Sequence, residues 1–150
     1  MILRRAGPGD SYLLFQWVNR PDSLAGKLAT QGPIARQTHD AWFASRLADP
    51  ETFLWIIESG DKPVGQLRFM KKAEAYEVDI YVLPDRRRSG IAQEALKHGI
   101  GELKAARAAP HSVRASVKIE NFGSQRLFER AGFLLCERHA GHLVYGLTAS

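Results

Sequence analysis

Between Tyr76 and Val82 apolar and polar positions alternate: Tyr76, Val78, Ile80 and Val82 fall on one side of an extended chain and Glu77, Asp79 and Tyr81 on the other. This two-residue period predicts a strand with one apolar face. Pro84 and Asp85 end it, and Arg86, Arg87 and Arg88 follow. From Ser89 and Gly90 the period lengthens, with Ile91, Ala92, Ala95, Leu96, Gly99, Ile100 and Leu103 recurring at helical spacing. The pattern predicts strand, basic turn and helix in succession, the helix running from Gly90 to about Ala108.

The same reading extends along the chain. Ile2 to Arg5 suggests a short first strand. Asp10 or Ser11 caps a helix through about Asn19, with Leu13, Leu14, Trp17 and Val18 on one flank, and Pro21 stops it. Asn19 to Gln37 has little periodic hydrophobicity and is expected to be a loop with one short helical turn; a loop that long in a small domain points to substrate binding. Thr38 is the expected N-cap of a second helix packed through Trp42, Phe43, Arg46 and Leu47 and ended by Asp49-Pro50. Strands are expected at about Thr52 to Glu58 and Pro63 to Phe69, antiparallel across the turn S-G-D-K. Pro110 and His111 mark a turn into a strand carrying Val113, Ala115, Val117 and Ile119. Asn121 breaks that strand, Ser124 starts a short helix stopped by Gly132, and strands at Phe133 to Glu137 and His142 to Leu147 complete the chain.

Strand-helix succession over residues 76–108 and 113–131, with an antiparallel meander over 52–82, predicts one α/β (α+β) domain over 1–150 with a mixed, mostly antiparallel sheet flanked by helices. The basic turn is its chemical feature. A helix's first turn has unpaired N–H groups, Gly90 permits close backbone approach, and the three arginines add charge and forked donors, a combination suited to a pyrophosphate. The alternative is a solvated basic loop before a surface helix. The formal net charge of +5 agrees with an anionic ligand. Because the arginines concentrate at 86–88 rather than along a stripe with exposed aromatics, nucleic acid is not the expected partner. One cysteine, Cys136, excludes an internal disulfide; with no leader pattern at Met1 and no long apolar run, the expectation is cytoplasmic, with no membrane partner. His139 and His142 are close but nothing completes a metal site, so none is expected.

Arg87, Gly90 and Ala92, after a strand and at the opening of a helix, occupy the fixed positions of Q/R-x-x-G-x-G/A. The sequence resembles the GNAT superfamily of acetyl-coenzyme A dependent N-acetyltransferases, which carries this cofactor motif. A second block of that family is matched by Asn121, Ser124, Phe128 and Ala131-Gly132-Phe133, so the resemblance runs from about residue 52 onward. It implies acetyl-coenzyme A as cofactor, with the amides around Arg88 to Ala92 on its pyrophosphate and Val82, Arg87, Arg88, Ser89, Gly90, Ile91, Ala92, Asn121, Ser124 and Phe128 as its binding set. Family members often carry a tyrosine at the position of Phe128 to protonate the leaving thiolate. Phe128 cannot do this, leaving Tyr145, Ser124, water or no dedicated acid.

W-V-N-R at 17–20 and H-D-A-W-F at 39–43 look like the subgroup that acetylates nucleotide-linked amino-deoxy sugars, as in pseudaminic acid synthesis. That resemblance implies a UDP-linked amino sugar as acceptor and a possible homodimer; Trp17, Asn19, His39, Trp42 and Tyr145 are the expected acceptor-site residues, with His39, beside the variable loop and near Trp42, also a candidate base. Protein N-terminal acetylation and a noncatalytic acyl-coenzyme A module are the alternatives. The amine must lose a proton as it attacks the thioester, and Glu77 or Asp79 is the expected catalytic carboxylate, directly or through water. The plainer readings are a solvated strand face for both acids, core packing for both tryptophans and a structural role for His39.

Overall fold

The computed structural model describes residues 1–28, 32–107 and 111–149. Among them, β1 (Ile2–Arg5), β2 (Thr52–Ser59), β3 (Lys62–Lys72), β4 (Ala75–Val82), β5 (His111–Lys118), β6 (Leu134–Arg138) and β7 (His142–Ala149) form one sheet in the order β1-β2-β3-β4-β5-β7-β6. All neighbours are antiparallel except β4 and β5, which run parallel. The helices are α1 (Ser11–Val18), α2 (Pro21–Ala25), α3 (Arg36–Ala48), α4 (Ile91–Ala106) and α5 (Phe122–Arg130). The architecture is the mixed, mostly antiparallel sheet flanked by helices that the sequence pattern predicts.

The period-2 pattern sorts side chains into a core on each face of the sheet. Phe53, Trp55 and Ile57 of β2 join Leu67 and Phe69 of β3, Tyr76, Val78 and Val82 of β4 and Val113, Ala115 and Val117 of β5 beneath α4 and Phe128 of α5. Leu54 and Ile56 point the other way and pack with Leu14 and Trp17 of α1 and Phe43 of α3. Each large apolar side chain so buried contributes roughly 1.5–3 kcal/mol relative to exposure. Helix α4 lies so close to β3 that a Cβ at Gly99 would run into the Leu67 side chain. Glycine at that position lets the helix backbone settle onto the sheet.

The sheet is incomplete at its centre. β4 and β5 pair only at Ala75 with Ser112, Tyr76 with Val113 and Glu77 with Arg114. Beyond this, β4 stays paired with β3 as far as Val82, and β5 stays paired with β7 as far as Lys118. Val78 to Val82 and Ala115 to Lys118 therefore turn backbone groups toward each other across a split, where they need other partners.

Several expected boundaries move. Pro21 opens α2 rather than merely ending α1, since proline suits a first helical position. Helix α3 begins at Arg36, before Thr38. Its extra half-turn is held by the Arg36–Asp40 pair at 3.1 Å and by the Arg36 guanidinium over the Tyr12 and Phe15 rings. Helix α5 begins at Phe122, and Asn121 is its cap, with Oδ1 accepting from Ser124 N at 3.2 Å. Helix α4 ends at Ala106, since Arg107 is already extended, which is short of the expected end at about Ala108; Ala108 itself and the turn at Pro110 lie outside the described residues.

Candidate active site

The turn from β4 into α4 is tightly tied. Leu83 N–H donates to Val64 O at 2.9 Å, and Ser89 Oγ donates to Arg86 O at 2.7 Å. Arg88 and Gly90 are both left-handed, with φ of 60° and 85°. Gly90 precedes α4 and supplies no side-chain cap, so the first-turn amides at Ile91, Ala92 and Gln93 have no intrahelical acceptor and lie at the positive end of the helix dipole. Gly90, Ala92 and Gln93 of this turn line a cleft of about 530 Å³ that follows the split between β4 and β5.

Val82, Arg87, Arg88, Gly90, Ala92, Asn121, Ser124 and Phe128 line this cleft. Of the expected cofactor set, Ser89 and Ile91 do not: the Ser89 hydroxyl closes the turn, and Ile91 packs against the core beneath α4. Arg87 is on the wall but already engaged, its Nε donating to Val82 O at 2.8 Å and its Nη2 to Asp22 Oδ2 at 2.6 Å. Phe128 is buried edge-on against Phe133, with ring centroids 5.2 Å apart, and has no proton to give. Arg86, Gln93, Arg126 and Arg130 also line the cleft. The two α5 arginines sit at i, i+4 spacing, a helical signal the sequence already held.

On the α1 and α3 face the cleft meets a second cavity of about 520 Å³; Ser23, Gly26, Lys27, Val78, Asp79, Tyr81 and Ser116 belong to both. Trp17, His39, Trp42, Gln66, Arg68 and Glu77 complete most of its wall. The two strand carboxylates meet different surroundings. Asp79 Oδ2 accepts from Gln66 Nε2 at 2.9 Å and Lys27 Nζ at 3.2 Å, with Arg68 Nη2 at 3.4 Å. Desolvation pushes its proton affinity up, but the charges of Arg68 and Lys27 and the Gln66 hydrogen bond outweigh it and hold its pKa down at about 2. Asp79 is thus a fixed negative charge at neutral pH. Glu77 is exposed, with Lys72 Nζ at 3.9 Å.

Two of the residues that line this cavity carry a buried side-chain atom with no hydrogen bond, Nδ1 of His39 and Oε1 of Gln66. His39 is 3% exposed, and its nearest carboxylate, Asp40 Oδ1, is 3.9 Å away. Phe15, Trp42 and Phe43 surround its ring, and desolvation lowers its pKa despite Asp40, so it is neutral at pH 7. An unpaired buried polar atom costs about 1–3 kcal/mol. Tyr81 donates to Asp22 Oδ2 at 2.9 Å, and desolvation together with that carboxylate pushes its pKa up to about 12.

Two expected acceptor residues lie elsewhere. Asn19 clasps Ile34, its Nδ2 donating to Ile34 O at 2.9 Å and its Oδ1 accepting from Ile34 N at 2.6 Å; it shapes the cavity through Ile34 without lining it. Tyr145 is buried beneath α5, with its hydroxyl donating to Glu129 Oε2 at 2.9 Å, and reaches neither cavity. The inward alternation of β7 carries it into the core, which removes it as a candidate proton donor. The sequence reading missed Gln66 and Arg68, although two polar residues interleaved with Leu67 and Phe69 mark a polar strand face. Lys27 and Asp22 carried no local signal, because their partners are distant in sequence.

Residues 13–133 match the acetyltransferase (GNAT) family. No curated protein matches the chain. Among solved structures, spermidine N-acetyltransferase from Vibrio cholerae in complex with CoA and spermine is 13% identical with TM-score 0.83, covering 99% of this chain and 95% of its own. Aminoglycoside acetyltransferase AAC(6')-Ib in complex with coenzyme A is 14% identical with TM-score 0.81, covering 97% and 93%. Ribosomal-protein-alanine N-acetyltransferase from Brucella melitensis is 20% identical with TM-score 0.81, covering 98% and 99%. At these identities the structures speak for the fold, while the family match takes in α1, the split sheet, the arginine turn and α5 together: the chain belongs to the acetyltransferase (GNAT) family.

Proposed function

We propose that the protein transfers the acetyl group of acetyl-coenzyme A to the primary amine of a small acceptor that also carries negative charge, a UDP-linked amino-deoxy sugar. The observation that carries this reading is the continuity of the two cavities at Asp79: a cleft ending on free helix amides and arginines meets an aromatic cavity with cations in its wall. The pyrophosphate of the cofactor sits at the α4 amides, and its pantetheine arm runs along the split between β4 and β5. The thioester then reaches the level of Asp79. The two structurally similar acetyltransferases that hold coenzyme A support this donor.

On the acceptor side Arg68 and Lys27 stand beside Asp79 and Glu77, so the wall has no excess of negative charge with which to hold a polycation. Arg68, stacked over Trp42 with its guanidinium carbon 4.9 Å from the ring centroid, offers a forked donor to a phosphate. A carboxylate with a pKa of about 2 is a poor proton acceptor and a good anchor for an ammonium. The amine proton therefore leaves by Glu77 or water, and Asp79 orients the amine. With Phe128 lacking a hydroxyl, the thiolate is protonated from water.

The test is thiol release from acetyl-coenzyme A by purified protein with parallel panels of UDP-amino sugars, polyamines and N-terminal peptides. Turnover of a UDP-amino sugar, and its loss in Arg68→Met, is expected. Turnover of peptides or polyamines alone overturns the acceptor but keeps the donor. Silence on every panel, with acetyl-coenzyme A bound, supports a noncatalytic module instead.

A further inference from the structure

Lys27 stands where the two cavities meet. Among the described residues it is the one lysine that lines either wall, and it lines both. Its Nζ is 3.2 Å from Asp79 Oδ2, and its side chain is 23% exposed. Asp79 lies two residues beyond Glu77, the last residue of β4 paired with β5, so the amine is at the apex of the split. The segment that carries it is tied to both lips. Asp22 accepts from Tyr81 and Arg87 on the β4 side, and Ala25 O accepts from Lys118 Nζ of β5 at 2.6 Å. This primary amine is held at the point where a thioester in the cleft and an amine in the cavity must meet.

We propose that Lys27 is a self-acetylation site, taking the acetyl group from acetyl-coenzyme A bound to the same molecule. The inference rests on the donor assignment made above. The Nζ lone pair forms a C–N bond to the acetyl carbonyl, and the C–S bond breaks with its electron pair on sulfur. Of the two protons the ammonium gives up, one makes the coenzyme thiol and the other leaves to solvent. The product amide is neutral, so Asp79 loses one of its two cationic partners, and the acetamide stands at the junction an acceptor amine would need.

Proximity decides the test, because a held amine reacts far faster than one that must collide. The full chain is incubated with acetyl-coenzyme A and no acceptor, and each lysine is followed by peptide mass spectrometry. Lys97 on the exposed side of α4 is the internal reference. Lys27 is expected to be acetylated at least about tenfold faster than Lys97, well below the advantage that positioning can supply, with a rate constant per molecule that does not change on dilution. Lys27→Arg removes the fast modification and leaves that of Lys97. Equal rates at the two lysines overturn the proposal, as does a rate that rises in proportion to protein concentration. Calorimetry on the same preparation separates the two readings: bound acetyl-coenzyme A with Lys27 unmodified overturns self-acetylation and leaves the donor assignment standing, whereas absence of binding overturns both.

Discussion

Replacing Gly90 by alanine and by glutamate separates the backbone demand of the arginine turn from its electrostatic one. Gly90 has φ of 85°, and a Cβ built there meets no heavy atom within 4 Å. Alanine therefore adds no clash, only the left-handed penalty of about 1–2 kcal/mol. In a domain of this size that lowers Tm by about 2–8 °C. Its affinity for acetyl-coenzyme A changes little, because the α4 amides keep their direction. Glutamate carries the same backbone penalty and adds a negative charge beside the proposed pyrophosphate. One unit charge about 5 Å from another, in a medium between water and a protein surface, costs about 0.8–3 kcal/mol, or about 4- to 150-fold in Kd. Thermal unfolding reads the first effect and isothermal calorimetry the second. If both variants are folded and Gly90→Glu binds acetyl-coenzyme A as tightly as Gly90→Ala, the phosphates do not lie at this turn.

Three further outcomes follow from the environments of single side chains. Asp79 binds its proton less tightly folded, at about 2, than unfolded, near 3.8, so it stabilises the fold above pH 3.8 and this contribution is lost as pH falls through about 2; a carboxyl-carbon NMR titration with its midpoint near 3.8 would refute the triple clasp by Gln66, Lys27 and Arg68. His39 is buried neutral with its pKa lowered from 6.5, so the unfolded chain takes up the proton first and stability falls as pH drops below 6.5. Denaturant melts of His39→Phe, which keeps the aromatic stack, should lack that decline, and an unchanged pH slope contradicts it. Tyr145→Phe loses one hydrogen bond to the exposed Glu129 and should cost about 0.5–1.5 kcal/mol while leaving acetyl transfer intact; a large fall in kcat would return Tyr145 to the site.

The sequence by itself determined the elements and the arginine turn, since both are written in short-range patterns. The alternation from Tyr76 to Val82 became β4, the helical spacing after Gly90 became α4, and Arg87, Gly90 and Ala92 line the cleft beside them. Helix starts were less legible: Arg36 and Phe122 were brought into their helices by contacts with Tyr12, Phe15, Asp40 and the Asn121 cap rather than by propensity. Tertiary structure alone decided what each acid and ring does. Nothing local to β4 tells that it parts from β5 after Glu77, because each strand keeps its other neighbour and the sheet opens only between them. Asp79 and Glu77 share one strand face. Asp79 becomes a fixed anion because Lys27, 52 positions earlier, and Arg68 from β3 converge on it, while Glu77 stays exposed. Tyr145 was drawn away from the site by the packing of β7 beneath α5. Periodicity is a property of neighbours in the chain, whereas charge and burial at a site are set by neighbours in space.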